Sequence, residues 1–285
     1  MDPSLIPVPI NVVQLLRHHH LSPRKSLGQN FLVDHSALEK VIDAANIDLQ
    51  DEVLEIGAGL GSLTRFLAAS AERVVAVELD RHLIPILEDV LGSEGNVEII
   101  QADILKLDPA SIMKTNGYLV IANIPYYITS AIIRHLLESE KKPRRLVLTI
   151  QKEVAQRICA QPGDMSLLAL SVQVYGQPVI VAKIPAGAFY PPPKVDSAVI
   201  RVDLFQEPII PPQKMETFFL LAKAGFGQKR KMLRKSLSSG LGWSADDMEE
   251  LLIKSDIDPT RRAETLSLPE WKVLTDHFWN QSHPF

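Results

Sequence analysis

An amide, a backbone carbonyl, a rigid ring and a phenol follow one another at Asn123-Ile124-Pro125-Tyr126, directly after the apolar run Tyr118 to Ala122. The run predicts a buried strand, so the tetrapeptide stands at a strand's end. The side-chain oxygen of Asn123 and the C=O of Ile124 are two acceptors that could grip both N–H bonds of an exocyclic amine such as adenine N6. Such an amine is a poor nucleophile because its lone pair is delocalised into the ring, and two acceptors would aim that lone pair outward. Pro125 stiffens the turn and has no N–H to compete. Tyr126 offers a ring face to an extruded base. Chemistry of this kind works by positioning and electrostatics and needs no strong general base. The structural alternative is a strand-end turn with a buried tyrosine.

A second constellation lies upstream. Glu55-Ile56-Gly57-Ala58-Gly59-Leu60-Gly61 is a glycine-rich turn that can bring backbone N–H groups close to a ligand. A dinucleotide fingerprint places its last small residue one position later, where this chain has Ser62. The spacing here suits passage of a bulky amino-acid tail, as in a methyltransferase loop. Glu78 ends the next predicted strand, where a carboxylate can accept from both ribose hydroxyls. Asp103 ends the one after, where it could accept from an adenine amino group. Each acid alone could be a solvated strand end or a helix cap; together with the loop they converge on one crevice.

These groups need a scaffold, and the hydrophobic pattern supplies one. Strands are expected at 53–56, 74–78, 96–100, 118–122 and 146–150, and helices at 34–46, 62–69, 83–91, 130–139 and 152–159. Strand and helix in alternation predict a mostly parallel sheet covered on both faces. Residues 171–184 and 197–205 read as two further strands, an antiparallel pair at the sheet's edge, joined through Phe189-Tyr190-Pro191-Pro192-Pro193-Lys194. The segment 206–212 has linker composition, and the remainder reads as helices, two of them opened by Ser244 with Asp247 and Ser267 with Glu270.

Composition sets limits. The 285 residues suit one large and one smaller domain, and 46% hydrophobic content supports a sizeable core. The proline-broken N-terminus with Asp2 argues against a secretory signal, and no apolar run reaches membrane-spanning length. With Cys159 the only cysteine, an intrachain disulfide is impossible and a cysteine zinc site is disfavoured. A cytoplasmic protein is expected. The net charge of −4 hides uneven placement, because Lys223, Lys229, Arg230, Lys231, Arg234 and Lys235 fall within KAGFGQKRKMLRK, which contains no acid. Smaller basic clusters sit at 141–145 and at Arg24-Lys25. The stretch GQKRKMLRKSL, residues 227–237, reads as one helix with a buried face and a cationic face, which is either an ordinary solvated face or one that meets phosphates.

The ordered set of motifs resembles the bacterial small-subunit (16S) ribosomal RNA adenine N6,N6-dimethyltransferase family. It comprises Lys25 to Leu32 (KSLGQNFL), the glycine loop, Glu78, Asp103, Asn123 to Tyr126, Gln151 to Ala155, Phe189 to Ser197 and Phe226 to Leu237, and runs from about Lys25 to Leu274. The resemblance implies a class I Rossmann-like fold with a seven-stranded, mostly parallel sheet and a small all-α C-terminal domain. It implies S-adenosyl-L-methionine as cofactor, held by Gln29, Asn30, Leu32, Gly57, Gly59, Glu78, Leu79, Asp103, Ile104 and Asn123. The catalytic set becomes Asn123, Ile124, Pro125, Tyr126 and Phe189, with the Phe189 ring opposite Tyr126 across the target base. The implied reaction dimethylates two adjacent adenosines in the 3′-terminal hairpin loop of 16S rRNA, on a pre-30S particle. Arg24, Lys25 and the six cations from Lys223 to Lys235 become RNA contacts.

The expected division is an N-terminal extension over 1–24, a catalytic domain over 25–206 and a helical domain over 207–285. A monomer without metal is expected, since three adjacent histidines at His18 to His20 cannot face one point. The chain departs from the family pattern at Ala58, often proline; at Tyr127, commonly asparagine; and at 164–168. Rival readings are dimethylation of large-subunit RNA, a non-catalytic assembly factor and a nicotinamide dehydrogenase. The last is disfavoured by Ser62 and by the lack of an obvious hydride-shuttle acid.

Overall fold

The computed structural model describes residue 7, residues 10–92 and residues 94–282, without the side chains of Tyr126 and Ser282. Residues 1–6, 8 and 9 of the proline-broken N-terminus lie outside the described residues. The chain opens with α1 (Val12–His18), β1 (Phe31–Leu32) and α2 (His35–Ala45). An alternating stretch follows: β2 (Glu52–Ile56), α3 (Thr64–Ala68), β3 (Arg73–Glu78), α4 (Ile84–Leu91), β4 (Val97–Gln101), α5 (Pro109–Ile112), β5 (Leu119–Asn123), α6 (Thr129–Glu138), β6 (Arg145–Gln151) and α7 (Lys152–Ile158). Then come α8 (Leu167–Gln173), β7 (Gly176–Ile184), β8 (Phe189–Tyr190) and β9 (Ser197–Leu204). The chain finishes with α9 (Met215–Gly227), α10 (Leu233–Leu241), α11 (Ala245–Lys254) and α12 (Leu268–Ser282).

Seven strands form one sheet in the order β4-β3-β2-β5-β6-β9-β7. β2 to β6 pair in parallel and β9 runs antiparallel to β6. The central strands are buried on both faces, as a parallel sheet covered by helices requires. One difference concerns the expected strand over 171–184. Residues 171–173 belong to α8, whose N-cap Ser166 accepts from the Ala169 N–H, and the strand begins at Gly176. The apolar spacing of Leu167, Leu170 and Val174 is helical and won locally.

Two compact units emerge: residues 1–155 with 179–204, and residues 156–178 with 205–285. The helical unit therefore takes in 156–178, which the sequence reading left in the first domain. Met165, Ala169, Leu170 and Val174 share a core with Phe218, Leu221, Leu233, Leu251 and Trp271. The backbone N–H groups of Gly163 and Met165 both donate to the Glu264 C=O. Both expected helix starts form. Ser244 Oγ caps its helix by accepting from the Asp247 N–H at 3.0 Å. Ser267 with Glu270 makes a reciprocal capping box, in which Glu270 Oε2 accepts from the Ser267 N–H at 2.7 Å and Ser267 Oγ from the Glu270 N–H at 3.4 Å.

The stretch 227–237 is not one helix. α9 ends at Gly227, residues 228–232 turn, and α10 begins at Leu233, whose N–H donates to the Arg261 C=O at 2.6 Å. The turn lets α10 pack back against α9 so closely that a Cβ at Gly240 would stand 2.6 Å from Ala224 Cβ and 2.9 Å from its Cα. At the other end of the chain, α1 is not a detached extension. Val12 and Leu16 are buried against Phe31, Leu60, Leu83 and Ile86.

One core residue is out of character. Glu55, in the middle of the sheet on β2, is 1% exposed, and its Oε2 makes no hydrogen bond among the described residues. Burial, aided by the negative charge of Glu78, pushes its carboxyl up to about 8. It is neutral at pH 7 in the folded chain and ionised when unfolded.

Two outcomes follow. A group raised in the folded state contributes stability that is complete below its ordinary value near 4.5 and is lost as pH rises through about 8. Melting temperature should fall across that window in the wild type and fall less for Glu55→Gln, which lacks the Glu55 contribution, as thermal scans from pH 4.5 to 8.5 would register. Gly240→Ala should destabilise the helical unit by about 1–3 kcal/mol, since α9 and α10 must separate; a lowered urea midpoint reports it.

Candidate cofactor and methyl-acceptor site

The parallel register lines up the strand ends. Ile56 pairs with Val77 on one side and with Ala122 on the other, so Gly57 stands level with Glu78 and Asn123. Glu78 in turn pairs with Gln101, which puts Asp103 just beyond it. β2 and β5 flank the point where strand order reverses, where crevices open in such sheets. A cleft open to solvent lies there. It is lined by Gln29, Asn30, Phe31, Gly57, Gly59, Glu78, Leu79, Asp103, Ile104, Asn123, Ile124 and Pro125, with Tyr127 and Ile128 at its side.

The glycines do what their type allows. Gly57 and Gly59 adopt φ of +77° and +60°, and a Cβ on Gly57 would meet only the Asn123 carbonyl oxygen, at 3.6 Å. Glu78 fixes this loop: its Oε2 accepts from the Gly59 N–H at 2.8 Å and its Oε1 from the Asp80 N–H at 2.7 Å. Burial raises the Glu78 carboxyl above its ordinary range, the backbone hydrogen bonds work against that, and Asp80 adds to it. Leu79 leaves 44% of its surface open beside it. Asp103 Oδ1 accepts from the Leu105 N–H at 3.1 Å, which caps the following turn, and Asp103 lines the cleft.

Asp80 is the residue sequence reasoning missed. It is 4% exposed and accepts from Gln29 Nε2 at 2.9 Å, from Arg24 at 3.1 Å and from the His82 N–H at 3.1 Å. Burial pushes its carboxyl up, but bonds from His82 and Gln29 and the Arg24 charge outweigh that and hold it below the usual range. The available signal was a second acid two residues after Glu78. Gln29 also accepts the Arg24 N–H at 2.7 Å, so Gln29 and Arg24 brace the loop that leads to Asn30. Asn123 Nδ2 donates to the Asn30 C=O at 2.9 Å. That bond fixes the amide's orientation and leaves Oδ1 as acceptor. The Ile124 N–H donates to Thr149 C=O at 3.2 Å, and no backbone N–H among the described residues takes the Ile124 C=O.

Two expected residues are placed elsewhere. β1 and β8 pair antiparallel, Phe31 opposite Tyr190 and Leu32 opposite Phe189. Directly opposed residues share a face. Leu32 and Phe189 therefore turn into the core with Leu38, Val41 and Val199, while Phe31 turns toward the cleft. Phe189 is 3% exposed and presents no open face to a base, and the Leu32 side chain does not line the cleft. The side chain of Tyr126 lies outside the described residues.

The cations are divided as well. Lys25 is exposed and Arg24 pairs with Asp80. In the helical unit Lys223, Lys229, Arg230, Lys231 and Lys235 are exposed, and Arg234 pairs with Glu249. In the 141–145 cluster Arg144 and Arg145 are paired, Arg144 gripping Asp51 through two bonds of 2.8 Å and Arg145 holding Asp203, while Lys141 donates to the Met113 C=O. Among the described residues no group of His, Cys, Asp and Glu is placed to hold a metal, and no helix is long and apolar enough to cross a membrane.

The donor set fits an adenosyl group with an amino-acid tail: an open glycine cradle, a buried carboxylate, a half-exposed leucine and an acid follow one another along the cleft. Comparison with known proteins agrees. A family model described as ribosomal RNA adenine dimethylase matches residues 20–274. Ribosomal RNA small subunit methyltransferase A of Dehalococcoides mccartyi is 47% identical over 262 residues, covering 92% of this chain and 90% of that protein. The protein of that name in Alkaliphilus oremlandii is 41% identical, covering 94% and 96%. Among solved structures, a dimethyladenosine transferase from Plasmodium falciparum superposes with a TM-score of 0.78 at 26% identity, covering 88% of this chain and 98% of that one. The 23S rRNA methyltransferase ErmE gives 0.71 at 27% identity, with 87% and 99% covered. With strand order, cleft and matched span in accord, the chain belongs to the ribosomal RNA adenine dimethylase family.

Proposed function

We infer that this chain transfers methyl groups from S-adenosyl-L-methionine to N6 of two adjacent adenosines in the 3′-terminal hairpin loop of 16S rRNA, dimethylating each, as a monomer acting on the pre-30S particle. The observation that carries the reading is the bond from Asn123 Nδ2 to the Asn30 C=O, which commits the amide oxygen to the acceptor role. Gly57, Gly59, Glu78, Leu79, Asp103 and Ile104 would hold the cofactor, with Gln29 and Asn30 closing the loop beside it. When bound there, it supplies an electrophilic methyl group. Asn123 Oδ1 and the Ile124 C=O accept the two N6 hydrogens and turn the nitrogen lone pair out of conjugation. Pro125 contributes no N–H to compete for those oxygens. Once methylated, the nitrogen is cationic and gives its proton to water, so no side-chain base is required. For the second methylation one acceptor still holds the remaining N–H.

The family alone does not choose the RNA, because relatives named for either ribosomal subunit share the fold. The 41–47% identity to small-subunit enzymes over nine-tenths of the chain favours 16S rRNA. The domain division proposed is catalytic and helical, the latter contributing Lys223, Lys229, Arg230, Lys231, Arg234 and Lys235 to phosphate contact.

Primer extension across the 16S 3′ hairpin, in cells with and without this chain, tests the target. Two adjacent stops that depend on the chain are expected; stops only in 23S rRNA would overturn it. Asn123→Ala should lower kcat by about a hundredfold or more. Asn123→Asp should also be impaired, because aspartate keeps an acceptor but cannot donate to Asn30. A parental rate for Asn123→Ala would remove the amine-holding role. Replacing Lys229 and Lys231 together by Gln should weaken particle binding uniformly across sequences and lower its log–log salt slope by roughly 1 to 2; filter binding at graded salt would measure it.

A further inference from the structure

Tyr127 is 62% exposed, yet it lines the cleft beside Pro125 and Ile128. The ring is held. Its Cε1 and Cδ1 lie 3.2 and 3.4 Å from where a Cβ on Gly28 would stand, with Pro125 Cβ at 3.3 Å from the same point. Gly28 has φ +63° and no side chain, which leaves the ring room to rest against the loop that carries Gln29 and Asn30. One part of the ring therefore packs on protein while much of it stays open to solvent. No hydrogen bond of its hydroxyl is made among the described residues.

An aromatic ring held along one edge and largely open to solvent is a stacking platform, and RNA-binding surfaces use such rings on unstacked bases. The chemistry of this cleft creates the need for one. Extruding a base leaves its neighbour in the strand without a stacking partner on that side. We propose that Tyr127 receives that neighbour: with one adenine held at Asn123 and Ile124, the adjacent adenine stacks on the open face of Tyr127. The platform keeps the dinucleotide in register, and the two adenines exchange places for the second round. This proposal rests on the functional reading above. It assigns Tyr127 to RNA and not to the cofactor, because an aromatic face this open to solvent at the cleft's side is accessible to a macromolecular substrate.

The test uses the full chain and small-subunit particles lacking the methyl groups. It compares wild type, Tyr127→Phe and Tyr127→Ala by three measurements. S-adenosylhomocysteine affinity is read by calorimetry, KM and kcat are determined for particles, and the methyl count on each adenosine is read by mass spectrometry. Tyr127→Phe should match wild type. Tyr127→Ala should raise KM for particles roughly tenfold and accumulate particles with one adenosine dimethylated and the other bare, with S-adenosylhomocysteine affinity within twofold. Wild-type KM and product pattern in Tyr127→Ala would overturn the proposal. A loss of S-adenosylhomocysteine affinity in step with KM would overturn it too, since the ring would then serve the cofactor. Wild-type enzyme that leaves both hairpin adenosines bare would overturn the functional reading, and this proposal with it.

Discussion

The hydrogen bond from Asn123 to the Asn30 carbonyl joins the end of a central strand to a loop 93 residues earlier in the chain. It is the last link of a continuous polar chain. Gly59 is held by Glu78, Glu78 by the Asp80 N–H, Asp80 by Gln29, and Gln29 leads to Asn30. Each bond alone has modest net worth, but members of a partly buried network fix one another's orientation. The cleft is thus shaped before any ligand enters, with the acceptor oxygen already selected. That is what a reaction driven by positioning requires.

Charge is managed along the same line. Three carboxyl groups, Glu55, Glu78 and Asp80, lie on two neighbouring strands and their ends, all nearly or fully buried. Three negative charges there would repel one another and lack water. The fold avoids this by treating them differently. Glu55 is kept protonated, Glu78 is satisfied by backbone N–H groups, and Asp80 is paired with Arg24, Gln29 and His82. The result leaves Asp80 buried but paired with the Arg24 cation, and Glu55 uncharged in the sheet.

The central strands and the acids at their ends were legible in the sequence because they follow from local periodicity. Val53 to Ile56, Val74 to Glu78 and Leu119 to Asn123 are runs that only a two-sided buried strand explains, and their ends carry Gly57, Glu78 and Asn123. The family resemblance added the remainder of the cleft. What could not be read locally was set by pairing across the chain. Phe189 and Leu32 turn inward because they oppose each other in a two-residue ladder, and no period can be measured over two residues. The break at 228–232 goes with the contact of Gly240 with Ala224, which the fifteen intervening residues conceal from a local reading. Asp80 escaped notice because its partners Arg24 and Gln29 are more than fifty residues away.

The helical unit is assembled from two separated pieces of chain, 156–178 and 205–285, with residues 179–204 of the other unit lying between them in the sequence. It is not a bead that can be cut off at the linker. A fragment beginning at 207 would lack Met165, Ala169, Leu170 and Val174, whose absence would open a hole in the core around Phe218 and Leu221. The matching fragment ending at 206 would carry those same apolar side chains with nothing to cover them. Exchange of this region between relatives by recombination must therefore move both pieces together, or neither.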